Sequence, residues 1–503
     1  MHNYYTVIGK YSKWKDFFKV VKNSMTKNDP LTLTTKLEEN LLHLRERFVH
    51  SEDFIMEYLH LQDEEAYIVY IETIIDKKLV QERILEPLKE SRISYKDEKQ
   101  PLPLVKETNS MKEITQSLLE GSCIVLSKDS DLAYVFNVPF SNDRKVKEPE
   151  TEGIIRGAHD GFVESLSTNI SLIRKRIHNS NLKVKYFSIG NDSHTKVALI
   201  YLDHIANKKT VALLEQKLLE INIDYILSPG YIEEFVSENS SIFPTMLSTE
   251  RADRTVANLM DGRVAIMTES SPGALIAPTT FFTFYQSPDD YNSRWYFGSF
   301  IRFLRILGFL ISIALPALYI AIVSFHFEIL PTEIVFSIKS SLENVPYPPL
   351  IEALGMQITL EILREASIRL PSRIAQTIGV VGGLVIGTAV VEANLVSNTM
   401  IIVVAITAIS SFIVPITEMG SSIRLLGFPF MIMAAMFGLI GMSFFFMFLL
   451  IHLCKLESFG TPYFAPFSTL RWSEMKDTLI RVPLPFLKQR PIDTMPVKNK
   501  KKV

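Results

Sequence analysis

Residues 378–397 read IGVVGGLVIGTAVVEANLVS. The first ten carry no charge and four glycines. Gly379, Gly383 and Gly387 fall at i, i+4 and i+8, one above another on a helix. Glycine costs about 1 kcal/mol against alanine inside a water-exposed helix. In lipid the balance differs, because helices there gain little hydrophobic energy from meeting. Close van der Waals approach matters more, and small residues permit it. The stripe therefore reads as a helix-packing face, toward a neighbour in the same chain or in another subunit.

The surrounding chain supports a membrane reading. It has 503 residues, 47% of them hydrophobic, and a formal net charge of −2. Mean hydropathy is +0.16. A near-neutral charge argues against a general nucleic-acid binder. Two distant cysteines, Cys123 and Cys454, give neither a disulfide framework nor metal-ligand spacing. The first residues, MHNYYTVIGKYSKWKDFFKV, lack the apolar run of a signal peptide, so the amino terminus is expected in the cytoplasm.

The texture changes after about residue 300. Ile306–Phe325 is an uncharged run of 20 residues, long enough for a hydrocarbon core of roughly 30 Å. Pro316 inside it is tolerated in a membrane helix. Further apolar runs follow at Ile374–Val391, Thr399–Thr417 and Leu425–Leu453, the last long enough to tilt. Arg294, Arg302 and Arg305 precede the first run, and ten lysines and arginines follow Leu453. The loop 326–349 carries one lysine, Lys339, against Glu328, Glu333 and Glu343. The positive-inside rule puts both termini in the cytoplasm and that loop outside, which four crossings satisfy.

Between the first two runs lies PPLIEALGMQITLEILREASIRLP, residues 348–371. Prolines open and close it. At 100° per residue, Gln357, Glu361, Arg364, Glu365 and Arg369 gather on one side, opposite Met356, Leu360, Leu363, Ala366 and Leu370. Such a helix could lie on the membrane surface, present a solvated face, or line a water-filled path in a ring of subunits, where carboxylates select cations. Gln357, Glu361, Arg364 and Glu365 are the candidate pore or gate residues.

The fold expected is multidomain: an N-terminal soluble α/β domain of two subdomains, then an α-helical polytopic membrane domain. After a tail at 1–33 comes a mainly helical subdomain at 34–110, with TKLEENLLHLRERFVHSEDFIMEYLHL as a helical pattern. An α/β subdomain fills 111–290, with KVKYFSIG and KVALIYLD as strands around a turn. The membrane domain, 291–453, has spans at about 303–325, 374–391, 399–417 and 425–453, plus the amphipathic helix 350–370. A basic tail occupies 454–503. No P-loop, GxGxxG, HExxH or GxSxG motif occurs, so no enzyme, catalytic residue, cofactor or metal is expected.

Four long stretches carry a more specific signal: GIIRGAHDGFVESLSTNISLIRKRI (153–177), STERADRTVANLMDGRVAIMTESSPGALIAPTTFFTFYQSPDDYNSRW (248–295), PYPPLIEALGMQITLEILREASIRLP (346–371) and IGVVGGLVIGTAVVEANLVSNTMIIVVAITAISSFIVP (378–415). In these the chain resembles the A subunits of GerA-type spore germinant receptors, over roughly residues 34–490. Family members often have Asp-Gly where this chain has Glu269-Ser270. The resemblance implies residence in the inner membrane of the dormant spore, with both termini in the spore core. It implies a transporter-like B subunit that binds nutrient and a lipoprotein C subunit. It further implies a homo-oligomer, a pentamer in the family's pattern, forming a nutrient-gated channel for monovalent cations. A germination-amplifying subunit of the SpoVAF type and a non-conducting scaffold remain as alternatives.

Overall fold

In the computed structural model, the residues described are 32–60, 65–86, 104–140, 148–149, 152–154, 156–237, 241–370, 383, 387–471 and 474–501. The chain divides into two compact units near residue 141.

The first unit contains α1 (Leu37–Arg47), β1 (Phe54–His60), β2 (Glu65–Ile71), α2 (Lys77–Val80), β3 (Leu104–Thr108), α3 (Met111–Leu119), β4 (Ser122–Ser127) and β5 (Ala133–Asn137). The strands form one antiparallel sheet in the order β1-β2-β4-β5-β3. Side chains alternate across it: Ile124 and Leu126 face one core, Cys123 and Val125 the other. This corrects two expectations. Phe54–His60 is a strand, because its apolar residues pair with β2 across a sheet. The boundary lies near 141 and not near 110, because β4 and β5 insert between β2 and β3.

The second unit opens with the same order of elements, with one further helix before its third strand. They are α4 (Leu166–Arg174), β6 (Leu182–Ile189), β7 (Thr195–Leu202), α5 (Lys208–Glu220), α6 (Pro229–Val236), β8 (Leu247–Thr249), α7 (Ala252–Met260), β9 (Val264–Thr268) and β10 (Ala274–Ala277). The sheet order, β6-β7-β9-β10-β8, repeats that of the first unit strand for strand. Small details repeat too. Asn40 in α1 accepts from the Thr34 amide (3.0 Å) and donates to its carbonyl (2.6 Å). Asn169 in α4 does the same to Val163 at 2.8 and 2.5 Å. Gly121 and Gly262 each enter a strand with positive φ, 87° and 95°.

Helical structure dominates after β10: α8 (Pro288–Asn292), α9 (Trp295–Phe325), α10 (Thr332–Leu342), α11 (Pro349–Ile368), α12 (Asn398–Phe412) and α13 (Thr417–Lys455). By length and composition α9 and α13 could cross a membrane, and α12 is a shorter apolar helix. The α9 and α12 helices are antiparallel: Tyr319 bonds to Ser397 at one end, while Gly308 meets the Ser410 carbonyl near the other. The α11 helix lies lengthwise beside them, with Glu352 at the Ser397 end and Arg364 at the Ser411 end. It does not lie apart as a surface helix. The run 374–391 falls mostly outside the described residues.

The run 425–453 is not one long tilted rod. At Gly438 the backbone turns through φ 62°, ψ −142° and α13 folds back on itself. A continuous helix would put Ser422 and His452 about 45 Å apart. Instead Ser422 donates to the Ile242 carbonyl (2.6 Å), and His452 pairs with Ser241 (2.8 Å). The legs pack through Phe430 and Phe445, whose rings lie 5.1 Å apart. Glycine at 441 lets the Met433 carbonyl approach.

Only glycine adopts the Gly438 conformation without strain, and a Cβ there would sit 2.9 Å from His326 Nε2. Gly438→Ala should therefore destabilise the protein by about 1–3 kcal/mol. Thermal unfolding of the purified chain in detergent checks this, and an unchanged midpoint would contradict the reversal.

Candidate functional site

Pro349 starts α11 at a position where its missing N–H is no loss, and the helix stops short of Pro371. The expected polar stripe is divided. Gln357 turns inward beside Met356, and both are buried. Ile351, Ile358 and Ile362 are exposed on the outer side. The reason lies in the neighbours, since α11 packs against α9, α12 and α13 together and must bury whatever faces them.

Glu361 and Arg364 are brought together, with a third group that the sequence reading did not select. Glu361 accepts from Arg364 Nη1 (3.0 Å) and from Arg424 Nε (3.2 Å) of α13. Arg364 also donates to Ser411 of α12 (3.0 Å) and lies 4.7 Å from the centre of the Phe412 ring. Two cations thus surround one carboxylate and join three helices. Glu361 is compensated in this arrangement and is not a free cation ligand. Glu365 points away, paired with Arg369 at 2.6 Å on the exposed side. Such an exposed i,i+4 pair contributes only about 0.3–0.5 kcal/mol.

The glycine face is open where it is described. Among the described residues, no atom of another element lies within 4 Å of a Cβ built at Gly383 or Gly387. Gly379 lies outside the described residues.

The base of α9 carries the densest buried charge. Arg305 donates to both oxygens of Asp290 (2.7 and 2.8 Å) and to the Tyr285 carbonyl. Arg302, fully buried, reaches Asp290 (3.3 Å) and Asp477 of the tail (3.2 Å). Tyr291 donates to Asp477 at 2.9 Å, and the guanidinium groups of Arg302 and Arg481 lie over its ring. Gly298 lets the Asp290 backbone come close, since a Cβ there would lie 2.6 Å from its carbonyl oxygen. The sequence reading took Arg302 and Arg305 only as topology signals. The aspartates that meet them, in SPDDY and MKDT, were the available clue.

An aromatic cluster continues the junction. Phe281 packs edge-on against Phe309 of α9 (5.4 Å), Phe243 (6.1 Å) and Tyr463 (6.3 Å). The face of the second sheet bearing Ala198, Ile200 and Leu202 therefore shares one continuous core with the helices.

Removing one partner from a buried ion network strands the others, at a cost of about 3–5 kcal/mol. Asp290→Ala should lower the thermal midpoint of the purified chain sharply, and Asp477→Ala less, because Asp290 still serves both arginines. Equal midpoints for all three proteins would refute the network's weight.

Glu233, half-buried on α6, gives a pH signature. Burial first, then repulsion from the Glu418 carboxylate, pushes its acid group up to about 7. The folded chain thus holds this proton more tightly than the unfolded chain, whose carboxyl keeps its ordinary value of 4.5. The resulting stabilisation is complete below about pH 4.5 and is lost as pH rises through 7. Glu233→Gln should flatten stability against pH across that window, as read by thermal melts from pH 4.5 to 8.

Comparison with known proteins adds the following. A family model described as Bacillus/Clostridium GerA spore germination protein matches residues 42–492. Spore germination protein B1 of Bacillus subtilis is 37% identical over 479 residues, 93% of this chain and 99% of that protein. Spore germination protein GerIA of Bacillus cereus is 38% identical over 478 residues, covering 93% and 72%. A Bacillus subtilis membrane protein of uncharacterised role, YfkQ, is 38% identical over 434 residues, 85% of each chain. The crystal structure of the N-terminal domain of the A subunit of the Bacillus megaterium spore germinant receptor GerK3 aligns with 27% identity and a TM-score of 0.39. It covers 50% of this chain and 98% of that one.

Proposed function

The chain belongs to the GerA family of spore germination proteins, and from that premise we propose that it is the membrane-embedded A subunit of a germinant receptor. Its assembly conducts monovalent cations when nutrient binds elsewhere in the complex. The observation that carries this reading is the charge carried on apolar helices of the bundle: Glu352, which is buried, and the part-buried cluster of Glu361, Arg364 and Arg424. Ionisable groups are costly in lipid, and where they occur they mark ion pathways or gates.

Assembly is supported by two surfaces that a single copy leaves uncovered. One is the Gly383 and Gly387 face, which is open in the described residues. The other is the outer side of α11, with Ile358, Ile362, Glu365 and Arg369 exposed. A homo-oligomer covers the first by close helix approach and turns the second toward neighbours or water. A nutrient-binding, transporter-like B subunit and a lipoprotein C subunit complete the receptor in this proposal. In this proposal both termini lie on the core side, as the lysines and arginines that flank the helical half favour.

A scaffold that conducts nothing is the competing reading. It draws on the compensation of Glu361 by two arginines, which removes one free carboxylate from any path. The full complex of this chain with its B and C partners, reconstituted in liposomes, separates the two. Nutrient should release potassium, and Glu365→Gln should alter ion selectivity or gating. No flux from a verified complex would sink the channel reading.

A further inference from the structure

Glu352 is the most deeply buried acid of α11, 2% exposed, and the sequence reading passed over it. It stands in the first turn of α11, where three helices meet. One carboxylate oxygen, Oε2, accepts from the Ser397 amide (2.9 Å) at the start of α12. The Ser397 hydroxyl caps α12 by accepting from Met400 N (3.2 Å) and lies 3.2 Å from the Tyr319 hydroxyl of α9. Among the described residues the other oxygen, Oε1, has no hydrogen-bond partner. Gln357, further along α11 and 8% exposed, also holds its Oε1 unpartnered. Among the described residues, no lysine, arginine or histidine pairs with Glu352.

Capping alone does not explain the acid. A glutamine would accept the Ser397 N–H equally well and would carry no charge. Desolvation of a carboxylate in this position is costly, and the start of α12 offsets only part of that cost. The free oxygen therefore calls for a counter-charge. Every donor atom in the cluster is oxygen, from Glu352, Tyr319 and Ser397, which suits a hard cation over a soft one. A single negative charge matches one positive charge.

We propose that Glu352, with Tyr319 and Ser397, forms a monovalent-cation site at the meeting point of α9, α11 and α12. The occupant is an alkali-metal ion or a proton held on the free carboxylate oxygen. Occupancy bears on helix packing, because the same carboxylate ties α11 to α12. As a site for the conducted ion it rests on the channel reading. As a binding site it stands without it.

The test uses the full chain purified in detergent, melted in potassium, sodium or choline chloride at equal ionic strength, over a range of pH. Wild type should gain about 2 °C or more in potassium or sodium over choline if the occupant is a metal ion. It should gain similarly on acidification, in all three salts, if the occupant is a proton. Glu352→Gln keeps the Ser397 acceptor, so it should fold and lose that gain. Glu352→Ala removes the cap as well and should melt lower throughout. Comparison with Glu233→Gln separates the acid response of Glu352 from that of Glu233. If wild type and Glu352→Gln respond alike to every salt and pH, the site is overturned. Flux from the reconstituted complex adds a second arm. If wild type conducts, Glu352→Gln should reduce potassium flux at least tenfold, and unchanged flux removes Glu352 from the path. If wild type does not conduct, the channel reading fails and the melting result still decides the site.

Discussion

Asp290 holds the two halves of the second unit to one another. Its carboxylate receives Arg302 and Arg305 one turn apart on α9, and Arg302 passes the connection to Asp477 in the tail. Charges this deep are tolerated only when paired and hydrogen-bonded. The geometry is therefore demanding, and it fixes where α9 begins relative to the second sheet. The aromatic cluster around Phe281 then fills the space between them with rings in edge-to-face contact. Movement of the helices relative to the second sheet has to disturb both the charges and the rings.

Much of the fold was legible because of period. KVALIYLD alternates in β7, with Val197, Leu199 and Tyr201 facing one core and Ala198, Ile200 and Leu202 the other. Period failed at Phe54–His60, where a strand follows a helix with little punctuation between them. It also failed to expose the repeat. The two α/β layers share strand order and the paired Asn40 and Asn169 clasps. Ser270 sits at φ 66°, a conformation that favours the glycine expected from the family resemblance.

The membrane-like half was less legible. Hydropathy sees length and charge, so it registered 425–453 as a rod and could not see a reversal made by one residue. A helical wheel sees one helix, so it grouped Gln357 with Glu361 and Glu365. Packing on three sides then drew Gln357 inward and left Glu365 out. Arg424 and Glu352 were missed for the same reason: each acquires its meaning from a partner on another helix. Tertiary pairing is not written in local spacing.

The fold of α13 has a consequence for biogenesis. Its tip, from Met436 to Ile440, holds no charge and no long polar loop. In the proposed membrane setting, both legs can enter the bilayer as a single preformed wedge from the side on which they are synthesised. Nothing hydrophilic need be exported for them to reach their depth. The last segment to leave the ribosome before the tail would then depend on neither translocation nor a charge signal for its orientation.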